Sequence, residues 1–160
     1  MKKITTILVF LIAFTNASFS AGDSSSSDNK SDYTKAHNLI KSAKKYEKKG
    51  KTEKALKRYA KAQKLLLKSN KDKPLQADTL NYLGFTTRKL GDYKKGEEYY
   101  LLGLQIDPNH NGINEYLGEL YMVTNRINLA KERLEVLINC NCKEYTELKE
   151  IIDGTKKSKY

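Results

Sequence analysis

The chain is poor in the residue constellations that perform chemistry. It has only two histidines, His37 and His110, and they fall in separate parts of the sequence, which leaves no plausible triad. It contains no Gly-rich phosphate loop, no H-E-x-x-H and no serine elbow. Paired carboxylates occur at Glu97-Glu98 and Glu115/Glu119, and their spacing reads as solvated helix faces rather than acid–base pairs. Cysteine is limited to Cys140 and Cys142, with no histidine, methionine or third cysteine nearby in sequence to complete a metal set. No catalytic residue, metal ligand or cofactor is assigned.

Long apolar runs are also scarce. One lies at the start: basic Met1-Lys2-Lys3, an apolar run from Ile4 to Phe14, then Ser18-Phe19-Ser20 with small residues at −3 and −1. This is the pattern of a secretory leader over residues 1–20, cleaved after Ser20. The run is far short of the ~20 residues that span a bilayer. No second long apolar stretch follows, so the mature chain is expected to be periplasmic or secreted, without stable membrane insertion. Residues 21–32 carry no large apolar side chain and read as a Ser-rich disordered tether, because burial cannot offset their ordering entropy.

Charge is unevenly spread. The net +11 falls to +9 once Lys2 and Lys3 are removed with the leader. From Tyr33 to Pro74 there are 15 basic and 3 acidic residues, whereas residues 75–142 carry 7 basic and 9 acidic ones. The lysines have no interleaved aromatic platform and read as a solvated, lysine-rich hairpin, which argues against nucleic acid as a partner.

What the chain does have is self-similarity. Tyr82-Leu83-Gly84 returns 34 residues later as Tyr116-Leu117-Gly118, and Gly91 returns as Asn125. A fixed period of this length marks stacked helical hairpins, each unable to bury its apolar face alone. Unit 2, residues 77–110, reads Leu80-x2-Leu83-Gly84-x2-Thr87, then Leu90-Gly91-Asp92-Tyr93, Gly96-x3-Tyr100, Gly103 and Asp107-Pro108. Unit 3, residues 111–142, reads Asn114-x2-Leu117-Gly118-x2-Tyr121, Asn125, Ala130-x3-Leu134 and Leu137. Unit 1, about residues 36–74, reads Leu39-x2-Ser42-Ala43-x2-Tyr46, Gly50, Ala55-x3-Tyr59 and Ala62. In each unit a small residue (Ala43, Gly84, Gly118) lets helix B approach helix A, and Gly50, Gly91 or Asn125 ends helix A where a left-handed residue is tolerated. Gly50 and Gly91 are 41 apart, so helix B of unit 1 and its loop are expected to be longer. Tyr145, Leu148, Ile151 and Ile152 then form an amphipathic cap, residues 143–153, before a polar tail at 154–160.

These motifs resemble the tetratricopeptide repeat (TPR) family over about residues 33–142, and the layout is similar to that of small exported bacterial TPR proteins. The resemblance implies an all-α superhelix of three TPR hairpins with a C-terminal capping helix, a TPR domain at 33–153. Unit 2 departs from the pattern at Gly96 and Gly103, where alanine is usual. Each glycine costs a helix interior about 1 kcal/mol. Alanine at either position is therefore expected to stabilise by about 0.5–1 kcal/mol if there is room, and to do the opposite if the helices are crowded.

The resemblance further implies which side chains face the concave groove: His37, Ile40, Lys44, Glu47 and Lys48; then Asp78, Asn81, Phe85, Arg88 and Lys89; then Gly112, Glu115, Glu119, Met122 and Val123. On this reading Phe85, Met122 and Val123 anchor an unidentified protein or peptide, and Lys44, Lys48, Arg88 and Lys89 orient its carboxylates, so that an acidic partner is favoured. Ile40 stands where the carboxylate clamp of chaperone-binding TPR domains wants a lysine. For Cys140 and Cys142 a disulfide, free thiols and a soft-metal pair all remain open; a bridge between residues two apart needs a kinked backbone. The expected role is an exported, non-enzymatic interaction module in envelope assembly. The alternatives are a structural subunit held through its convex or terminal surface and a thiol or metal carrier.

Overall fold

The computed structural model describes residues 31–158, which form seven α-helices in succession. They are α1 (Asp32–Lys48), α2 (Thr52–Asp72), α3 (Ala77–Lys89), α4 (Tyr93–Ile106), α5 (Asn111–Val123), α6 (Ile127–Val136) and α7 (Lys143–Ile152). The leader and nearly all of the expected tether lie outside the described residues. Asp32 belongs to α1 rather than to a tether: Ser31 caps the helix by accepting a hydrogen bond from the Thr34 backbone N–H at 3.1 Å. No helix among the described residues is long and apolar enough to cross a membrane.

The tight turns are made by the residues the repeat pattern singles out. Gly50, Gly91 and Asn125 have φ of 67°, 98° and 59°, the left-handed geometry that closes a helix end. The longer spacing in the first unit is taken up by α2, which has 21 residues against 14 in α4. The connection to α3 turns at Leu75, whose φ is 57°. At the far end the backbone N–H groups of Thr155 and Lys156 donate to the Glu150 carbonyl and fold the chain back onto α7.

Packing defines the curvature. Each helix packs on the next, and α1 also touches α3, α3 touches α5 and α5 touches α7, whereas α2, α4 and α6 do not touch one another. Helices that meet lie on the short-radius side, so α1, α3, α5 and α7 build the concave wall and α2, α4 and α6 the convex one. The core runs in two connected parts. Ala36, Ile40, Ala43, Tyr59, Leu66 and Phe85 belong to the first; Tyr100, Ile113, Leu117 and Ala130 belong to the second.

Small residues set how closely the helices approach. A methyl group on Gly84 would sit 2.5 Å from the Tyr100 ring, and one on Gly118 would sit 2.5 Å from Leu148 Cδ2. The room that alanine would need at Gly96 is tight: its Cβ would lie 3.1 Å from the Gly84 carbonyl oxygen and 3.2 Å from Arg88 Cβ, so the backbone of α3 would have to give by a few tenths of an ångström. At Gly103 it would meet Ile113 Cδ1 at 2.5 Å. Both glycines sit at close contacts, α4 against α3 and α4 against α5, so a gain from alanine is opposed at Gly96 by backbone and at Gly103 by the movable end of Ile113.

Candidate functional site on the concave wall

Sequence position places Arg88 one turn beyond Phe85 on α3, and the sequence reading has it face the groove to meet a ligand's carboxylates. It is instead 1 % exposed. Its Nη1 donates to the Tyr116 carbonyl at 2.7 Å, and its Nη2 lies 3.3 Å from Glu119 Oε2. Both side chains of this ion pair are wholly buried. A buried guanidinium needs a carboxylate and a carbonyl to replace water, and Glu119 and Tyr116 on α5 supply them. Lys89 is corrected in the same way: Nζ lies 2.5 Å from Glu47 Oε1, with its side chain 8 % exposed. Glu47 also accepts from the Tyr59 hydroxyl at 2.7 Å.

The remaining predicted groove residues divide by depth. Phe85 is buried between the Tyr59 and Tyr116 rings, at 5.6 and 5.0 Å, so it is core and cannot serve as a peptide anchor. Ile40 is core as well. Lys44 is half-buried: it lies over the Phe85 ring at 4.5 Å and donates to the Tyr116 hydroxyl at 2.9 Å. Asn81 is buried, with its side-chain oxygen unpartnered. Met122 and Val123 are half-buried, and Met122 packs on the second core cluster. Lys48 and Asp78 are exposed. Asp78 meets His110 Nε2 at 3.1 Å.

Glu115 and Glu119 are not a solvated face. Both are buried, and with Glu147 of α7 they offer carboxylate oxygens all within 4.8 Å of one another. Burial, then the charges of Glu119 and Glu147, push the Glu115 carboxyl up to about 8. Glu97 is also no free surface charge: it makes a two-pronged ion pair with Arg126, at 2.8 and 2.7 Å.

What the wall leaves accessible is a partly open aromatic group, Tyr33, His37 and Tyr82. Tyr82 lies 6.0 Å from Tyr33 and 5.2 Å from His37, ring centre to ring centre. Burial raises the Tyr82 hydroxyl pKa, with Asp78, Glu115 and Glu144 adding to the shift. Burial, together with Lys41 and Lys44, lowers that of His37. Sequence reasoning did not single out this trio as a binding surface, although His37 was assigned to the wall and Tyr82 was read as partly exposed. The available signal was the aromatic at position 6 of unit 2, next to the groove positions.

Two features lie off the wall. Cys140 and Cys142 are joined as a disulfide with Cα atoms 5.1 Å apart, and Asn141 between them supplies the kink with φ 46°. On α2 the lysines are less scattered than the sequence suggested. Lys54, Lys57, Lys61, Lys64, Lys68 and Lys71 recur at alternating three- and four-residue steps, and all are exposed. They form one stripe opposite the buried Ala55, Tyr59, Ala62 and Leu66.

Three helical hairpins, stacked with their first helices inward and closed by α7, make this an all-α, TPR-like fold. No protein-family model matches the chain. The type III secretion translocator chaperone SycD of Yersinia enterocolitica has a similar structure, with a TM-score of 0.53 at 16% identity over 74% of this chain and 81% of that one. The first TPR domain of human RPAP3 aligns with a TM-score of 0.49 at 20% identity, over 78% of this chain and 94% of that one. A curated relative, the Sol locus transcriptional repressor of Clostridium acetobutylicum, is 37% identical over 71 residues, 44% of this chain. The matched segment spans 22% of that relative's length.

Proposed function

We propose that the chain is a non-enzymatic protein-interaction module that docks an extended peptide or partner helix along the concave wall. The observation that carries this reading is the division of that wall. A locked lower layer (Phe85, Arg88, Glu119, Tyr116) holds the geometry, and Tyr33, His37 and Tyr82 sit partly open above it. Such a surface is organised before binding and loses little entropy on contact. Its charges run from Lys41, Lys44 and Lys48 on α1 to Glu144 and Glu147 on α7. A segment with acidic groups toward α1 and basic groups toward α7 complements it. Arg88 and Lys89 already hold Glu119 and Glu47, so an acidic ligand has fewer cations to meet than the sequence implied. We further propose export to the periplasm or medium, from the leader pattern of residues 1–20, and a role as an adaptor in envelope assembly.

A second reading has its own support. The lysine stripe of α2 suits docking of an anionic surface on the convex side, as a structural subunit would use. The thiol-carrier reading loses ground, since neither cysteine is free. The test is a pair of charge-reversal variants, assayed against the partner isolated from the producing cells. Lys48→Glu with Asp78→Lys should weaken binding tenfold or more, about 1.4 kcal/mol. Lys61→Glu with Lys64→Glu should leave it within about twofold. The reverse ranking would replace the concave reading with the convex one.

A further inference from the structure

We propose that α7 is held on α5 by a shared proton, so that the C-terminal end of the concave wall is closed in acid and loosens as pH rises. Glu115 and Glu119 on α5 and Glu147 on α7 converge within 4.8 Å across the interface between these helices. Leu148, the neighbour of Glu147, fills the notch left by Gly118 of α5. Docking of α7 therefore forces the third carboxylate against the other two.

The charges acting on Glu115 raise its pKa. From α3, Arg88 is committed to Glu119 and the Tyr116 carbonyl, and Tyr82 brings only a hydroxyl. From α4, Tyr100 brings a second hydroxyl. From α1, the Lys44 ammonium is directed to the Tyr116 hydroxyl. From α6, Arg133 lies by Asn114 and Glu132. From α7, Glu144 adds a further negative charge. Beyond α7, Lys156 is 3.9 Å from Glu147 but nearer to Glu150, at 3.2 Å. Glu115 itself meets the negative charges of Glu119, Glu147 and Glu144, and a proton shared with Glu147 resolves the conflict.

The direction of the effect follows from the ionisation. Glu115 loses its proton at about 8 when α7 is docked, against 4.5 for an ordinary glutamate. Undocking removes the Glu147 and Glu144 charges and part of the burial, so the open state holds this proton less tightly than the docked state. Docking is therefore fully favoured below the ordinary carboxylate range. It weakens by up to about tenfold per pH unit as pH rises toward 8, and levels off above.

Amide hydrogen exchange of the full chain tests this, with rates corrected for the intrinsic effect of pH. From pH 5.5 to 7.5 the peptide covering residues 143–152 should lose protection, by up to about a hundredfold for one proton, while α1 and α2 keep theirs. Glu115→Gln, which mimics the protonated group, should hold α7 at pH 7.5 as firmly as the natural protein does at pH 5.5. Unchanged α7 protection in the natural protein, or the same pH dependence in Glu115→Gln, would overturn the proposal. If Glu115→Gln does not fold, Glu147→Gln decides: with one repelling charge gone, the loss of protection should level off at a lower pH, and an unaltered profile contradicts the latch.

Discussion

Arg88 and Glu119 form the pair on which the stacking of the second and third hairpins turns. Removing one partner leaves the other charged in a site without water, a cost of about 3–5 kcal/mol. Arg88→Ala should lower stability by that amount in urea melts, whereas Arg88→Met combined with Glu119→Leu should recover most of it. A double variant as unstable as the sum of its singles would show that the two do not act as a pair. A second prediction concerns the glycines of α4. Gly96→Ala pushes against the backbone of α3 and should destabilise by about 1–3 kcal/mol, the usual range for overpacking. Gly103→Ala meets the movable end of Ile113 and should cost less. A rise in the melting midpoint of Gly96→Ala would mean that α3 and α4 are not in close contact.

At the scale of the helices, much was readable from the chain. The left-handed turns at Gly50, Gly91 and Asn125, the small residue at the helix crossing and the long α2 all follow from local rules: residue type, period and spacing. The wall's polarity was not readable in this way. Arg88 and Glu119 lie 31 residues apart, and position within a repeat says which way a side chain starts out but not what meets it. The same limit hid the α5–α7 carboxylate cluster, whose third member comes from outside the repeats. The chain kink at Asn141 illustrates the boundary: C-x-C raised the question, and backbone geometry answered it. The Cys140–Cys142 bridge closes a very short loop, so replacing both residues with serine should cost about 1–2 kcal/mol. Circular dichroism should show unchanged helix content. Loss of α6 or α7 signal would give the bridge a larger part in the fold than its loop length allows.

The molecule as a whole is a short array in which every helix contacts only near neighbours, so its surfaces are as separable as its repeats. Basic charge is concentrated on α1 and α2, aromatic groups on the α1–α3 wall, and carboxylates where α5 meets α7. The central claim is that partners dock on the wall made by α1, α3, α5 and α7. Site-specific photo-crosslinking in the producing cells tests it most directly, with the reactive group placed in turn at Lys48, Asp78, Lys61 and Lys64. The account predicts one partner band of the same mass from Lys48 and Asp78, and none from Lys61 or Lys64 on α2. Crosslinks from the α2 positions with none from Lys48 or Asp78 would contradict it.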